Sequence, residues 1–323
     1  MIGWRRALMA LAGFAMAAPA LAQSWPTRPI KLLVPTGAGT STDVMARLFA
    51  DEASRGLGQT LIVENLPGAS GVIGARAAAR AAPDGYTFFF ANGSALTSNM
   101  FMLKNIGYDP TKDFDPVGIV TNTGPFSLTV PASLPVNTVP ELIAYAKANP
   151  GKVSYGVDAT SGLGIVAARL FNKRAETGMT EVAYGATPQM LQDAAAGRIQ
   201  LVVSAMSPVE PIVQQGSLRW VGLTSAKRFA GNPDIPLVAE TLPGAVVDGW
   251  LAVVAPAGTP KEAIARINAE VGRYISNEAI RKKLLSLGVG ATTPASPDEA
   301  GAVIRAEQVR WAALAKELDL KPE

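Results

Sequence analysis

Four loops carry most of the side chains that could do chemistry, and each follows an apolar run and precedes a segment of helical period. The first reads Thr36, Gly37, Ala38, Gly39, Thr40, Ser41, Thr42, Asp43. Its glycines let the backbone approach a ligand closely, its hydroxyls donate, and the helix that follows offers unpaired amides with positive partial charge. That combination suits a carboxylate. Asn92, Gly93, Ser94 and Ala95 end a second apolar run with the same logic, and Asp158, Thr160, Ser161 and Gly162 repeat it later in the chain. Tyr184 and Gly185 open a fourth junction, and Ser204 closes one further run. Each loop also has a plainer reading: a glycine-rich turn with Thr42 as helix cap, an Asn-Gly surface turn, a tyrosine that only packs.

Other chemistry is poorly supplied. The chain of 323 residues has no histidine and no cysteine. That removes the commonest general base, the Ser-His-Asp and Cys-His nucleophile systems, and the principal zinc and copper ligands. No Gly-x-Ser-x-Gly, Ser-x-x-Lys or His-Glu-x-x-His occurs, Thr42 stands where a dinucleotide fingerprint needs its third glycine, and no Walker lysine follows. Asp43 and Asp158 could form a carboxylate pair across a cleft, but single aspartates at helix starts read better as caps. Catalysis, a metal and a cofactor are therefore not expected.

The first residues run Trp4, Arg5, Arg6, an apolar stretch over 7–18, and Ala20-Leu21-Ala22 before Gln23. This reads as a secretory signal peptide over 1–22, since the apolar run is shorter than the roughly 20 residues of a spanning helix and ends in a small-residue cleavage site. Export to the periplasm follows, without a lipid-modified cysteine, as a freely soluble chain. Arg5 and Arg6 are the only charged residues of the leader, so the formal charge of +3 becomes 3 − 2 = +1 without it. Lysines and arginines are scattered and not interleaved with aromatics, so nucleic acid is not an expected partner.

The elements that must position these loops alternate. Apolar runs at 30–34, 61–64, 87–91 and 117–121 read as strands, with helices at 43–55 and 72–82 between them. A parallel sheet covered by helices is the expectation. The rhythm restarts with strands at 127–130, 152–155, 178–182, 199–204 and 218–224, and helices at 139–148, 163–172, 188–196 and 209–215. After a strand at 250–255 only helices are expected, with Thr259 capping toward Glu262, Ser296 pairing with Glu299, and all of them packed on the first unit. The fold class is α/β with two lobes, each a sheet flanked by helices, and a ligand cleft between. The first lobe comprises 23–122 and 226–323 and the second 123–225, with the second crossover somewhere between 224 and 250.

Short segments along the whole chain carry a resemblance. They include Trp25-Pro26-Thr27-Arg28-Pro29-Ile30, Val34-Pro35 with the loop ending in Asp43, and Val63-Glu64-Asn65-Leu66-Pro67-Gly68-Ala69. Further on come Ala82-Pro83-Asp84-Gly85-Tyr86-Thr87, Tyr108-Asp109-Pro110, Thr224-Ser225-Ala226-Lys227-Arg228 and Ala255-Pro256-Ala257-Gly258-Thr259-Pro260. In order and combined length they resemble the Bug-type substrate-binding proteins of tripartite tricarboxylate transporters. The resemblance implies a type II-like periplasmic-binding-protein fold that closes on a small carboxylic acid and hands it, as a monomer, to membrane permease subunits. A receptor serving a membrane sensor is the alternative, and a periplasmic hydrolase on the same scaffold a more remote one.

The departures lie in the pocket. Gly37-Ala38-Gly39-Thr40 replaces a Pro-Pro-Gly-Gly-rich stretch, Ser161-Gly162-Leu163-Gly164-Ile165 a serine-rich one with a histidine, Gly185 a basic residue and Ser204 a frequent aspartate. With no lysine or arginine in the four loops, a second or third carboxylate on the second lobe would lose water without gaining a charged partner. A monocarboxylate with an apolar body, walled by Phe126 and Tyr184, is the expectation.

Overall fold

The computed structural model describes residues 25–158, 162–286 and 288–322. The 1–22 leader lies outside them, as do Thr160 and Ser161. Strand β1 (Ile30–Val34), β2 (Leu61–Asn65), β3 (Thr87–Asn92) and the long β4 (Phe114–Pro131) come first. They are followed by β5 (Ser154–Asp158), β6 (Thr180–Tyr184), β7 (Leu201–Ala205), β8 (Leu218–Leu223), β9 (Asp248–Pro256) and the two-residue β10 (Gly290–Ala291).

The pairing order is β2-β1-β3-β9-β4-β7-β5-β6, with β8 and β10 also on β4. The sheets are mixed, where the sequence pointed to parallel ones. β1 is parallel to β2 and β3, and β5 to β6 and β7, but β9 runs antiparallel between β3 and β4, and β4 runs antiparallel to β7 and β8. The reason is that β9 and β4 do not belong to βαβ units: β4 runs on from the first sheet into the second, and β9 carries the chain back into the first from the opposite side. The runs at 117–121 and 127–130 are one strand of 18 residues, the pairing with β9 shifting register between Asn122 and Pro125 without ending the strand. β4 pairs with β9 as far as Pro125 and with β7 from Phe126.

Strand alternation divides the first core into two layers. Leu32, Phe88 and Phe90 face one way, against Met45, Phe49 and Ala53 of the helix Ser41–Leu57 and Ile267, Val271 and Tyr274 of the helix Lys261–Ser276. Leu33, Phe89 and Ala91 face the other, against Ala75, Ala78 and Ile304. The second sheet does the same: Leu128, Tyr155, Val157 and Val203 meet the helices Val139–Ala148 and Gly162–Ala175, while Val202 faces Met190, Leu191 and Val209. Helical spacing of i, i+4 and strand spacing of two produce these layers directly.

Two features of the C-terminal third differ from the sequence reading. Thr259 does not cap toward Glu262; its hydroxyl donates to the Pro256 carbonyl at 2.7 Å, and Pro260 occupies the cap position. The last helix, Pro297–Glu317, does not stay on the first unit. At about 31 Å long it reaches across both: Ile304 packs with the first core, Trp311 and Leu314 with the second, and Glu317 pairs with Arg174. The segment 226–247, across which the sequence leaves the second crossover open, sends Val238, Ala245 and Val247 into the second core. Ser296 and Glu299 form the capping box expected of them.

Candidate functional site

A cavity of about 290 Å³ opens where the two sheets meet. From the first sheet it is lined by Ser41, Thr42 and Met45 at the start of one helix, by Asn92, Gly93 and Ser94 after β3, and by Ser70. From the second it receives Gly162 and Leu163 at the start of a helix, and Ala205, Met206 and Ser207 after β7. Phe126 of β4 and Gly249, Trp250 and Leu251 of β9 complete the walls, with Gly288 and Val289 at one edge. Among the described residues that line it, none is charged.

The first loop spends its polar groups on itself. Asp43, only 2% exposed, accepts from the Gly39 amide at 2.8 Å, Asn65 Nδ2 at 2.8 Å and Arg47 Nε at 3.1 Å. Burial works against its charge, but the bonds from Arg47, Gly39 and Asn65 outweigh it and hold the carboxyl below its usual range. Thr40, and not Thr42, caps the helix: its Oγ1 accepts from the Asp43 amide at 3.3 Å, donates to the Gly37 carbonyl at 2.9 Å, and lies 2.9 Å from Thr36 Oγ1. Gly39 sits at φ +82°, where a side chain would be strained. Thr36, Gly39, Thr40 and Asp43 are therefore outside the cavity wall and shape the loop behind it. Ser41 and Thr42 reach the wall, and their amides, the first two of the helix, have no partner within it.

After β3, Asn92 Oδ1 accepts from the Ala95 amide at 3.1 Å, which leaves Nδ2 without a partner among the described residues. Ala95 is fully buried and its carbonyl accepts from Tyr108. In the second unit Tyr184 is buried, donates to Asp193 at 2.9 Å and does not line the cavity; Gly185 is exposed and also lies outside it. Asp158 ends β5 opposite Tyr184 in the register. Ser204 is buried against Ser127, whose hydroxyl donates to its carbonyl at 3.2 Å, and the period of two delivers its neighbour Ala205 to the cleft. The helix Met206–Gln214 that follows has no side-chain cap, so the Met206 and Ser207 amides are open.

Asp248 marks the place where β4 and β9 cross between the sheets. Burial pushes its carboxyl up to about 6, opposed by a 3.1 Å hydrogen bond from the Ala226 amide and by Arg310, and reinforced by Glu307.

The arrangement is a cleft between two α/β units, with helix starts and hydroxyls from both and no charge among the described residues that line it. Residues 45–320 match the model of the tripartite tricarboxylate transporter family receptor. The chain belongs to this family. The receptor is 34% identical to an R. palustris protein solved with adipate, with a TM-score of 0.79 over 93% of this chain and 100% of that one. It is 27% identical to the periplasmic binding protein BugD, TM-score 0.76, over 93% and 100%. It is 27% identical to MatC from Rhodopseudomonas palustris with bound malate, TM-score 0.74, over 90% and 99%. The family comprises transport receptors and not enzymes, and the two-lobed binding-protein fold expected from the sequence is the fold of these neighbours. No helix among the described residues is long and apolar enough to cross a membrane.

Sequence reasoning passed over Ser70, Ala205, Met206, Ser207 and Trp250, which the structure places in the receptor's cleft. A strand followed at once by a helix at 205–206 was the available cue. Alanine and methionine carry no chemical label when the donors are backbone amides.

Proposed function

We propose that the receptor binds a small carboxylate in this cleft and delivers it unchanged to membrane permease subunits. The observation that carries the reading is the convergence of open helix starts and hydroxyls from both units, Ser41 and Thr42 on one side and Met206 and Ser207 on the other, on a cavity whose described lining carries no charge. Amides at helix starts hold an anion by directed hydrogen bonds and aligned dipoles, and the low-dielectric walls strengthen both. Met45, Phe126, Leu163 and Trp250 supply apolar surface for the body of the acid. The adipate and malate of its relatives are the first ligands to try. Two lobes, hinged where β4 and β9 cross, close over the acid. The chain is exported with cleavage near Gln23, works in the periplasm, and acts as a monomer.

Isothermal titration of the purified chain with adipate, malate, citrate, benzoate and hexanoate tests the reading. At least one acid should bind at a ratio of one to one, with affinity changing less than about threefold between low and high salt, since no ion pair is screened. Absence of binding across the panel would refute it, and a steep loss with salt would reveal a cationic anchor instead.

A further inference from the structure

A second, solvent-open cavity of about 430 Å³ lies against the last helix, walled by Ile119, Val303, Asp248, Glu307 and Arg310. Among the described residues, Trp250 alone lines both spaces. Its ring is 6% exposed and packs in the first core with Ile304. Gly93 holds it in place by yielding room: a Cβ on Gly93 would stand 2.9 Å from Trp250 Nε1 and Cε2, closer than such atoms approach. The indole is therefore a partition, seated against a glycine on the cleft side, with unfilled volume beyond.

From this geometry we infer that Trp250 is a specificity-determining residue that limits ligand length. The inference rests on the binding role proposed above. An acid anchored by the helix starts runs along Met45 and Phe126 until its tail meets the indole. With the ring removed, the tail can continue into the second cavity between Ile119 and Val303. That space is apolar on one side and carries Asp248, Glu307 and Arg310 on the other, the guanidinium being already engaged by Glu307 at 2.6 Å and by the Val246 carbonyl at 2.7 Å, so it accepts a hydrocarbon tail better than a second carboxylate.

The experiment measures binding of straight-chain C6 and C10 acids, as mono- and dicarboxylates, to the full chain and to the Trp250→Ala variant by calorimetry. Each buried methylene contributes about fourfold in affinity. The native chain should prefer C6. Trp250→Ala should raise the C10-to-C6 ratio at least about tenfold for the monocarboxylates and less for the dicarboxylates. An unchanged ratio in a folded variant overturns the inference. Should Trp250→Ala not fold, Gly93→Ala decides: the added methyl displaces the indole and must shift the same ratio, whereas equal loss for both lengths counts against a length limit. If the native chain binds none of these acids, the proposed function fails instead, a result separate from either of the others.

Discussion

The two sides of the cleft are built on opposite principles. On the first, the loop before Ser41 closes on itself, with Asp43 taking three donors and Thr40 bridging Gly37, Thr36 and the Asp43 amide. On the second, the helix from Met206 begins with an alanine at its cap and no side chain to satisfy it. A side chain that caps a helix stabilises it and removes a donor from the ligand. The loop before Ser41 has placed its polar groups in stability and brings only Ser41 and Thr42 to the wall, while the second side leaves the first amides of its helix uncapped.

The sharpest way to break this comparison is at Asp43. Asp43→Ala should lower unfolding free energy by about 2–4 kcal/mol, because the Gly39 amide, Asn65 and Arg47 lose a buried acceptor. Urea unfolding checks it, and a change below about 0.5 kcal/mol would mean that the loop is not self-supporting. Because its carboxyl is held below the usual range, Asp43 adds stability that is complete above its unfolded value of 3.8 and is lost as pH falls through the folded one. The variant should lack that acid-side loss.

Ala205→Asp should have the reverse signature. A carboxylate at the cap takes the open amides itself, so stability should rise by about 0.5–2 kcal/mol while carboxylate affinity falls at least about tenfold. If both rise, those amides do not hold the ligand.

Asp248 tests the crossing between the sides. A carboxyl raised from 3.8 to about 6 is favourable when protonated, so its contribution is complete below pH 3.8 and disappears as pH rises through 6. Relative to Asp248→Asn, the native chain should lose up to about 3 kcal/mol between pH 4 and pH 7. Parallel pH profiles for the two would contradict this. The smallest effect is expected for Thr40→Ala, about 1 kcal/mol for a lost cap, with little change in affinity because Thr40 does not line the cavity. Thermal denaturation and titration together separate those two readouts.

Legibility from the sequence followed the same division. The helix Val139–Ala148 was legible to the residue because Thr138 signals its start and its apolar period is regular. The capping box at Ser296 was legible for the same reason, and the look-alike at Thr259 misled because Pro260 takes the cap and turns Thr259 back to Pro256. β4 reads as two strands because its apolar runs at 117–121 and 127–130 are interrupted at 122–126, and only tertiary pairing with β9 carries the strand through. At the site, polar loops drew attention to residues whose polarity is structural, Asp43 and Tyr184 among them. The donors at Met206 and Ser207 are main chain, which every residue possesses, and only the fold brings them to a cavity.

A crystal structure of the receptor with adipate is the most direct test. The account predicts carboxylate oxygens within hydrogen-bonding distance of the Ser41 or Thr42 amides on one side and the Met206 or Ser207 amides on the other, with no lysine or arginine in contact. A carboxylate resting on a guanidinium or ammonium group, or on the Thr36–Thr40 turn, would contradict it.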